Sequence, residues 1–557
     1  MGTTSLRVLK RMQLLLVCFF CFSCSDDEGE NYDSPQEPSF VLDNSTVMSR
    51  GLKGDGTESS PYQISSAQDF MYFAEAIGSG DLESRGKYFR LECDLEVSSD
   101  YDWSAIGNNI IPFQGHFDGG SHAITGTLHH KTLQRKPDHF IFNGEVSSGD
   151  DLNSSLERFY WDGYYFGLFG CCSEGSVSNL RMEADVLINA TVDDEASDRR
   201  IFIGSIMACA SRVSEPTSME NCSVKNSVVD NGEHAISRTS CYAIGGACGA
   251  TTGLVRNVSA EGSLSIGGGE YGQIFAGGIV GYCYGASDMK TGQIIECTNR
   301  TVIGWGEDAI YCDNAIVGGI CGYAEAVYQI DGCTNSADLQ LGGLGAYQQT
   351  VGVTLGGIVG EMGKPQWGGV KILTNCSNEG NVTAPQHFGA TNISAYTGGI
   401  AGIFWGDIDI MNPEEKSSFT QCTNTGVVTG AYYYSDISDY TGGIAGMVSN
   451  SSLTDCHNEA EVHAGGNGST QYGGIVGHWK PETHTMHLCS NNGLLVGSGA
   501  ETFYFGDLVG YLEVTGETVQ PCIFDCCEYL GSEEQGVGNY RYLPDIVIFG
   551  SCDLGHD

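Results

Sequence analysis

Basic residues are scarce in this sequence: Lys and Arg number 26 in 557 residues, against 69 Asp and Glu, for a formal net charge of −43. Phosphate binding needs clustered Lys and Arg, so this balance excludes a nucleic-acid-binding protein. It also excludes docking on an anionic membrane surface through protein charge. Proline is scarce at 12 residues, whereas glycine is abundant at 79. Because 41% of the residues are apolar and 17% are charged, the chain can bury a core and is not a disordered acidic tail.

The apolar run near the N terminus is short. It extends over residues 12–23 and follows Arg7, Lys10 and Arg11. A membrane-spanning helix needs about 20 residues, so the run is too short to cross a bilayer. A basic start followed by a short apolar run is typical of a signal peptide.

The apolar run ends at Phe22-Ser23-Cys24, and the acidic stretch Ser25-Asp26-Asp27-Glu28 follows. This segment resembles the lipobox of bacterial lipoproteins, in which the cysteine is lipidated and becomes the first mature residue. The acidic stretch resembles the signal that sends some Gram-negative lipoproteins to the outside of the outer membrane. The resemblance implies a signal peptide over 1–23, a lipid anchor on Cys24 in the outer membrane, and a flexible acidic tether over 24–48. The alternative is a plain secretory signal with a solvated acidic linker.

A period-two pattern recurs from about residue 180 to residue 495. One copy is Cys376, Asn378, Gly380 and Val382, and nine copies begin at intervals of 33 to 46 residues. Period two is typical of a β-strand, and the alternating set is the one expected to face inward. Stacked asparagines can bond through their amides, so the repeat predicts a solenoid of parallel strands with a structural column of Cys and Asn. The column residues are Cys297, Cys333, Cys376, Cys422, Cys456 and Cys489 with Asn299, Asn335, Asn378, Asn424, Asn458 and Asn491.

A glycine-rich element alternates with these strands. One copy is Gly277-Gly278-Ile279-Val280-Gly281, and the other clear copies begin at residues 318, 356, 398, 442 and 473. Glycine pairs supply either a positive φ or a crowded corner, so each copy predicts a bend between two strands.

These repeats resemble the GLUG-motif family of bacterial cell-surface proteins. The N-terminal region is similar to the usual opening of that family, in the segments 54–57, 117–122 and 166–170. The resemblance covers about residues 50–510 and implies an all-β fold, a right-handed parallel β-helix. The family is mostly adhesin-like and many members have no assigned chemistry, so the resemblance implies a fold more than an activity.

Both ends of such a coil need covering, because an open end exposes core and strand edges. Ser66-Ala67-Gln68-Asp69 is a capping-box pattern, and apolar residues at helical spacing follow it, which predicts a capping helix over 66–78. The predicted organisation is an N-terminal cap with the first coils over 49–175, repeats over 176–510 and an irregular C-terminal cap over 511–557.

Twenty cysteines remain after Cys18, Cys21 and Cys24 are assigned to the signal and anchor. The cysteines of the column are expected to be free thiols, buried as small apolar groups. If one repeat is one coil, neighbours lie about 4.8 Å apart but point the same way; if a repeat spans two coils, about 10 Å separates them. The better disulfide candidates are Cys522, Cys526, Cys527 and Cys552. No metal site is expected, since the cysteines near residue 522 lack a second half-site.

Few motifs indicate catalysis. The sequence has no His-Glu-x-x-His, no Gly-x-Ser-x-Gly and no phosphate-binding loop, and no cofactor is expected. The acid pairs Asp407/Asp409 and Asp436/Asp439 can be nominated for a glycosidase, although nothing distinguishes them from solvated loop acids. Asp118 and His122 invite a catalytic interpretation, but a role in making a turn explains them equally well.

Aromatic residues follow the glycine-rich element in several repeats. Stacked coils would align them along one side, where sugars could dock their C–H faces on the rings. The alternative is that the rings pack on one another or under loops. The candidate ligand-binding residues are Tyr282, Tyr323, Trp367, Trp405 and Trp479.

The first functional hypothesis is a non-catalytic, surface-exposed adhesin or glycan-binding lipoprotein, whose partners would be glycans or host surface components. The alternative is a carbohydrate-active enzyme on the same scaffold, either a polysaccharide lyase or a glycoside hydrolase. A third is a passive component of a surface layer, which buried aromatic rings would favour. Fold alone does not decide among these classes.

Overall fold

The computed structural model of the chain describes most residues from Phe40 onward. The described ranges are 40–133, 140–142, 145–147, 163–191, 200–211, 216–232, 234–235, 241–285, 291–305, 310–325, 327–342, 350–363, 370–386, 392–406, 416–431, 437–463, 469–480, 485–497, 502–513, 522–529, 537–540 and 547–550. Cys24, Trp367, Asp407, Asp409, Asp436 and Cys552 lie outside them.

The chain forms a parallel β-helix in which one repeat is one coil. In a representative coil, Gly269–Gly277 lies in sheet 1, Val280–Tyr284 in sheet 2, Gln293–Ile295 in sheet 3 and Thr298–Trp305 in sheet 4. The next coil begins with Ile310–Gly318, which pairs in parallel with Gly269–Gly277. The predicted fold class is therefore confirmed, and the spacing between equivalent residues of neighbouring coils is one strand separation, about 4.8 Å.

The four sheets contain these strands within the described residues. Sheet 1 contains Gly163–Phe166, Arg200–Gly204, Cys241–Gly245, Gly269–Gly277, Ile310–Gly318, Thr350–Gly356, Asn392–Gly398, Ile437–Gly442, Ser469–Gly473 and Thr502–Gly506, and His234–Ala235 pairs at its side. Sheet 2 contains Phe169–Ser173, Met207–Ser211, Cys248–Thr251, Val280–Tyr284, Cys321–Glu325, Val359–Met362, Ala401–Trp405, Ala445–Ser449, Val476–Lys480, Val509–Leu512 and Val537–Tyr540. Sheet 3 contains Tyr62–Ile64, Tyr88–Leu91, His116–Asp118, Ser176–Ser178, Ser218–Glu220, Leu254–Arg256, Gln293–Ile295, Gln329–Asp331, Ile372–Thr374, Ser418–Thr420, Ser452–Thr454, Thr485–His487, Cys522–Asp525 and Val547–Gly550.

Sheet 4 often has two strands in one coil. They are Phe40–Leu42, Leu95–Val97, Ala123–His130, Arg181–Met182, Asp185–Ile188, Ser223–Asp230, Ser259–Ile266, Thr298–Trp305, Thr334–Asn335, Leu339–Gln340, Ser377–Asn378, Val382–Thr383, Thr423–Asn424, Val428–Thr429, His457–Asn458, Val462–His463, Ser490–Asn491, Leu495–Val496 and Glu528–Tyr529. A separate antiparallel hairpin pairs Phe140–Phe142 with Glu145–Ser147.

The predicted asparagine column runs through the core behind sheet 4. Asn378 is fully buried, accepts a hydrogen bond from Asn335 Nδ2 at 2.8 Å, and donates through Nδ2 to Asn424 Oδ1 at 2.8 Å. The same Nδ2 donates to the carbonyl of Gly380, two residues along its own strand, at 2.7 Å. Equivalent amide contacts of 2.8 to 2.9 Å join the whole series from Asn299 to Asn491. Each buried amide is thus paired with its neighbours, which offsets the cost of removing it from water.

Close contacts with neighbouring atoms explain why glycine occupies both positions of each pair. The backbone φ of Gly356 and Gly357 is not in the left-handed region, so a positive φ is not the reason for glycine there. A Cβ on Gly356 would lie 1.9 Å from the carbonyl oxygen of Val359, and a Cβ on Gly357 would lie 2.3 Å from Cγ of Asn378. The second glycine of each pair therefore leaves the space that the asparagine column occupies.

The cysteine column is buried as free thiols. Cys376 is 1% exposed, and its Sγ donates to the carbonyl of Thr374 at 3.1 Å. Burial raises the pKa of Cys297 and Cys422, which keeps these thiols protonated. Of the C-terminal candidates, Cys526 takes part in a disulfide, whereas Cys522 and Cys527 are free thiols.

The predicted capping helix is confirmed as Ala67–Ser79. Ser66 is its N-cap, and the Ser66 hydroxyl accepts a hydrogen bond from the backbone N–H of Asp69 at 3.2 Å. The buried face carries Phe70 and Phe73. The ring of Phe73 contacts a cluster of aromatic rings in the first coils, namely Phe89, Phe113, Phe117 and Phe169.

Two predicted boundaries are wrong. The tether was expected to extend to residue 48, but Phe40–Leu42 pairs in parallel with Leu95–Val97 and Leu42 is fully buried. At the other end, Cys522–Asp525 and Val537–Tyr540 continue sheets 3 and 2 beyond residue 510. The coil therefore continues after the recognisable repeat ends, because strand pairing needs backbone geometry and inward apolar residues, not the full motif.

Candidate functional site

An outer cleft lies between sheets 1 and 2, on the side of these sheets that faces away from the main core. The chain reverses direction at each glycine pair, so the outward side chains of the two strands face each other. Phe275 of sheet 1 contacts Tyr282 and Tyr323 of sheet 2, with ring centroids 5.0 and 5.1 Å apart. These residues belong to an apolar cluster that is separate from the core, which contains the neighbouring Ile274 and Ala276.

Strand register aligns the cleft residues from coil to coil. On sheet 1 the aligned residues are Tyr165, Phe202, Ala243, Phe275, Ile316, Thr354, Tyr396, Tyr440, Gln471 and Tyr504. On sheet 2 they are Cys171, Cys209, Ala250, Tyr282, Tyr323, Glu361, Ile403, Met447, His478, Tyr511 and Asn539. The cleft therefore crosses successive coils and follows the axis of the β-helix.

Most aromatic rings in the outer cleft stack on one another. Tyr282 and Tyr323 stack with centroids 5.5 Å apart and an interplanar angle of 12°. Tyr396 and Tyr440 stack at 4.7 Å and 11°. Rings stacked in this way offer few free faces to a ligand. These two pairs therefore follow the alternative expectation, in which the aromatic rings pack on one another.

A gap separates the two stacks. The coil between them places Thr354 on sheet 1, where the neighbouring coils carry the larger Ile316 and Tyr396, and Glu361 on sheet 2, between Tyr323 and Ile403. The gap is a cavity of about 650 Å³ that opens to solvent and is lined on one side by Tyr323 and on the other by Tyr396. In this cavity a ligand ring could meet an aromatic ring.

The carboxylates of Asp313, Glu325 and Glu361 line the gap, and aromatic donors hold the two glutamates. The hydroxyl of Tyr282 donates to Glu325 Oε2 at 2.6 Å, and Trp405 Nε1 donates to Glu361 Oε1 at 3.0 Å. Burial raises the pKa of Tyr323, and the charges of Glu361 and Glu325 raise it further. Both carboxylates thus act on the same tyrosine, which places negative charge on either side of it.

In the later coils, charged and aromatic side chains contact one another within the cleft. His478 Nε2 lies 3.1 Å from Glu513 Oε2, and Lys480 Nζ lies 3.6 Å from Glu513 Oε1. Burial lowers the pKa of His478, although the Glu513 carboxylate opposes that effect. The ring of His478 also contacts Tyr440 and Tyr511. This end of the cleft is occupied by its own side chains.

The structure places the predicted ligand-binding residues in different environments. Tyr282 and Tyr323 line the cleft, and Trp405 lies at its edge, partly exposed. Trp479 is fully buried, donates to the carbonyl of Ser451 at 3.2 Å and packs edge-on against Phe524, so its assignment to a ligand platform is wrong. Trp479 occupies the inward position of its sheet 2 strand, one residue after the cleft position. Trp367 lies outside the described residues.

Sequence reasoning missed the sheet 1 wall of the cleft. Tyr396 and Tyr440 each lie two residues before a glycine pair, as do Phe275 and Ile316. The sequence signal for this wall is the position two residues before each glycine pair. An outward side chain at that position faces the strand that follows the bend.

The nominated residues Asp118 and His122 make hydrogen bonds at a turn. Asp118 Oδ1 accepts hydrogen bonds from the N–H of Gly120 and from Asn179 Nδ2, both at 3.0 Å, and His122 Nδ1 lies 3.2 Å from Asp94 Oδ1. These contacts hold the turn at Gly120 and Ser121, whose φ values are 59° and 65°. The turn-making interpretation explains this motif.

Asp439 is fully buried in the core and cannot meet a polysaccharide. Its carboxylate accepts hydrogen bonds from the hydroxyls of Tyr472 and Thr441. Burial raises the pKa of Asp439 to about 7, although these hydrogen bonds oppose the shift. The pair Asp436/Asp439 is therefore not a glycosidase pair, and Asp436 lies outside the described residues.

Replacing Asp439 with asparagine should make stability less dependent on pH. The folded pKa lies above the ordinary value of about 3.9, so the wild-type chain loses stability as pH rises from about 4 to 7, by a few kcal/mol. We expect the thermal midpoint of Asp439→Asn, relative to wild type, to increase between about pH 5 and pH 8. Thr425→Ala on an outer face is the control, and an equal pH profile for both variants would contradict this account.

A second cavity, of about 350 Å³, lies beside the C-terminal end of the capping helix. It is lined in part by Tyr101, Asn108, His130 and Tyr164. His130 Nε2 accepts a hydrogen bond from the N–H of Gly167 at 3.1 Å, and burial lowers the pKa of this histidine to about 3. The neutral imidazole thus holds the backbone of the first coils. Across the described ranges, no group of three or more His, Cys, Asp or Glu could hold a metal ion.

Comparisons with known proteins give limited information. No family model matches the chain. A protein of Evansella cellulosilytica named "Putative Gly-rich membrane protein" is 27% identical over 140 residues, which are 24% of this chain and 12% of that protein. The match therefore spans about an eighth of that relative. A solved structure of "a putative immunoglobulin A1 protease" from Bacteroides ovatus covers 86% of each chain at 14% identity, with a TM-score of 0.24.

A TM-score of 0.24 is too low to assign a fold. The β-helix is assigned from the strand pairing of the coil itself. The relative from Evansella cellulosilytica is named a membrane protein. The helix within the described part of the chain, Ala67–Ser79, is too short and too polar to cross a bilayer.

Proposed function

We propose that the chain is a surface-exposed, lipid-anchored and non-catalytic glycan-binding protein that uses the outer cleft, as GLUG-motif proteins of adhesive function would. The observation that carries this proposal is the gap between the two tyrosine stacks. A rigid coil holds Tyr323 and Tyr396 on either side of a cavity open to solvent. Apolar rings with polar groups beside them suit the C–H faces and hydroxyls of a sugar.

The cleft geometry favours an extended ligand. Its walls repeat at the strand spacing of about 4.8 Å, which is similar to the length of one pyranose unit in an extended polysaccharide. A chain lying along the cleft would meet equivalent positions of successive coils. This arrangement suits a polymer better than a small isolated metabolite.

Replacing Tyr396 with alanine tests this proposal. We expect binding of the full-length chain to its best glycan to weaken about tenfold or more, because one ring beside the gap is lost. The measurement is calorimetric titration against a panel of plant polysaccharide and mucin-type oligosaccharides. The matched control is Tyr311→Ala, whose ring is 40% exposed and outside the cleft lining. Binding that Tyr311→Ala weakens as much as Tyr396→Ala would contradict the cleft as the site.

A glycoside hydrolase is the second candidate, because Glu325 and Glu361 line the same gap. Paired carboxylates are what glycosidases use. A polysaccharide lyase is expected to use Arg or Lys to take the proton, and the described lining of the gap contains no Lys, Arg or His, so the gap favours the hydrolase over the lyase. Incubation with the same panel and an assay for new reducing ends distinguishes the two: release that Glu361→Gln abolishes would favour the enzyme.

The lipid anchor is a separate part of the proposal and has its own test. Cys24→Ser removes the proposed lipidated cysteine, so most of the protein should move from the membrane fraction to the soluble fraction, since several acyl chains are needed for stable anchoring. Cys21→Ser is the matched control within the same apolar segment. Retention of the Cys24→Ser chain in the membrane fraction would favour the plain secretory alternative. Protease treatment of whole cells then tests exposure at the surface.

A further inference from the structure

Along the axis of the β-helix, the gap in the outer cleft has the height of one missing ring. Tyr323 lies in the coil before the gap, and Tyr396 lies in the coil after it. Two coil spacings separate their levels by about 10 Å, and stacked rings lie about 5 Å apart, so one more ring fits at the level of Thr354. Along this axis, the coil therefore leaves room for one ring between the levels of the two tyrosines.

The charge at this pocket is negative. Glu325 and Glu361 line it, and the formal charge of the whole chain is −43. Each carboxylate is oriented by a donor on a neighbouring aromatic residue, Tyr282 for Glu325 and Trp405 for Glu361. An anionic sugar would be repelled there, whereas a cationic group would meet two carboxylates and the edge of an aromatic cluster.

We propose that the gap takes one amine-bearing sugar ring of a glycan chain, between Tyr323 and Tyr396, with its ammonium group beside Glu325 and Glu361. This inference rests on the proposed glycan-binding function and names the class of sugar. The ammonium group can donate charge-assisted hydrogen bonds to the carboxylates and makes a favourable contact with tyrosine rings. The ring of the sugar fills the level where the ladder of large side chains is interrupted.

Other cationic ligands fit less well. Within the described residues, no group of three or more His, Cys, Asp or Glu is arranged to hold a metal ion, so a divalent cation would lack the several oxygen ligands that it needs here. A lysine-rich peptide would satisfy the charge but would leave the ring-sized level between Tyr323 and Tyr396 unfilled. An amino sugar satisfies both the charge and the shape of the pocket.

Three oligosaccharide series of equal length test this inference on the full-length chain. They are a glucosamine oligomer, its N-acetylated counterpart and a uronic acid oligomer, titrated at a pH where the amine is charged. We expect the glucosamine oligomer to bind about tenfold more tightly than the neutral one, and the uronic acid oligomer to bind most weakly. The preference for the amine should decrease as salt is added.

Three variants locate the preference. Glu361→Gln keeps the acceptor for Trp405 and removes one of the carboxylate charges at the gap, so the amine preference should fall several-fold while binding of the neutral oligomer remains. Glu379→Gln is the matched control, because Glu379 is an exposed carboxylate of sheet 4 that contacts Ser336 at 2.8 Å. Thr354→Tyr supplies a ring at the position where Tyr396 and Tyr440 have one, which should fill the gap and abolish binding at an unchanged thermal midpoint.

The outcomes separate this inference from the proposed function. Equal binding of amine and neutral oligomers would overturn the ammonium site and leave glycan binding in place. Tighter binding of a lysine-rich peptide than of any oligosaccharide would overturn the inference in favour of a peptide ligand. Binding of no series, with the panel of polysaccharides also negative, would overturn both. An amine preference that Glu379→Gln reduces as much as Glu361→Gln would reflect net charge and would also overturn it.

Discussion

Gly357→Ala is expected to prevent the chain from folding, or to destabilise it by at least about 4 kcal/mol. A Cβ at this position would lie 2.1 Å from the carbonyl oxygen of Gly399 and 2.3 Å from Cγ of Asn378. The first contact is with backbone of the next coil and the second is with a buried amide that bonds on both sides. Neither group can move without breaking hydrogen bonds in two coils.

The same substitution elsewhere serves as the control. A Cβ on Gly304 would meet only the carbonyl oxygen of Leu264, at 3.9 Å, which is an ordinary contact. Gly304→Ala should therefore keep the wild-type yield and stay within about 0.5 kcal/mol of wild-type stability. The measurement is the yield of folded protein and the thermal midpoint by circular dichroism. Similar midpoints for the two variants would mean that the glycine pair is not required by close approach.

The sequence predicts the coil well because its signals are local and repeated. Alternating inward residues, glycine pairs and the capping pattern before Ala67–Ser79 each follow from short-range backbone geometry. The asparagine column was predictable because a buried amide that recurs at the same position in six successive coils finds its partner in the neighbouring copy. Repetition turns a long-range contact into a pattern that a single sequence displays.

The cleft was less predictable, because it depends on which side of each strand faces outward around a bend. The strand of sheet 2 does not alternate strictly, so Val476 and Trp479 both face the core while His478 faces the cleft. The bend between sheets 3 and 4 also holds Glu296, Gln421 and Leu488 at φ values of 53° to 55°, where the sequence offers neither glycine nor asparagine. Tertiary pairing imposes these conformations on residues that disfavour them.

A charged side chain in the asparagine column should destabilise the protein. Asn378→Asp keeps the shape of the side chain and its acceptor for Asn335, but it removes the donors to Asn424 Oδ1 and to the carbonyl of Gly380. A buried carboxylate would then face two oxygens, and we expect a loss of about 3 to 5 kcal/mol near neutral pH. Ser377→Asp is the matched control, because it adds the same carboxylate on the outward side of the same strand.

The pH dependence of this variant identifies its cause. Burial and the facing oxygens would raise the folded pKa of the new carboxyl above its unfolded value of about 3.9. A raised folded pKa means that the variant retains most stability below that unfolded value and loses it as pH rises towards the folded one. The difference in thermal midpoint between Asn378→Asp and wild type should therefore be larger at about pH 8 than at about pH 5. If Asn378→Asp loses no more stability than Ser377→Asp at either pH, the column of amides does not hold the coils together. The stability of the β-helix would then have to come from its apolar core and strand pairing alone.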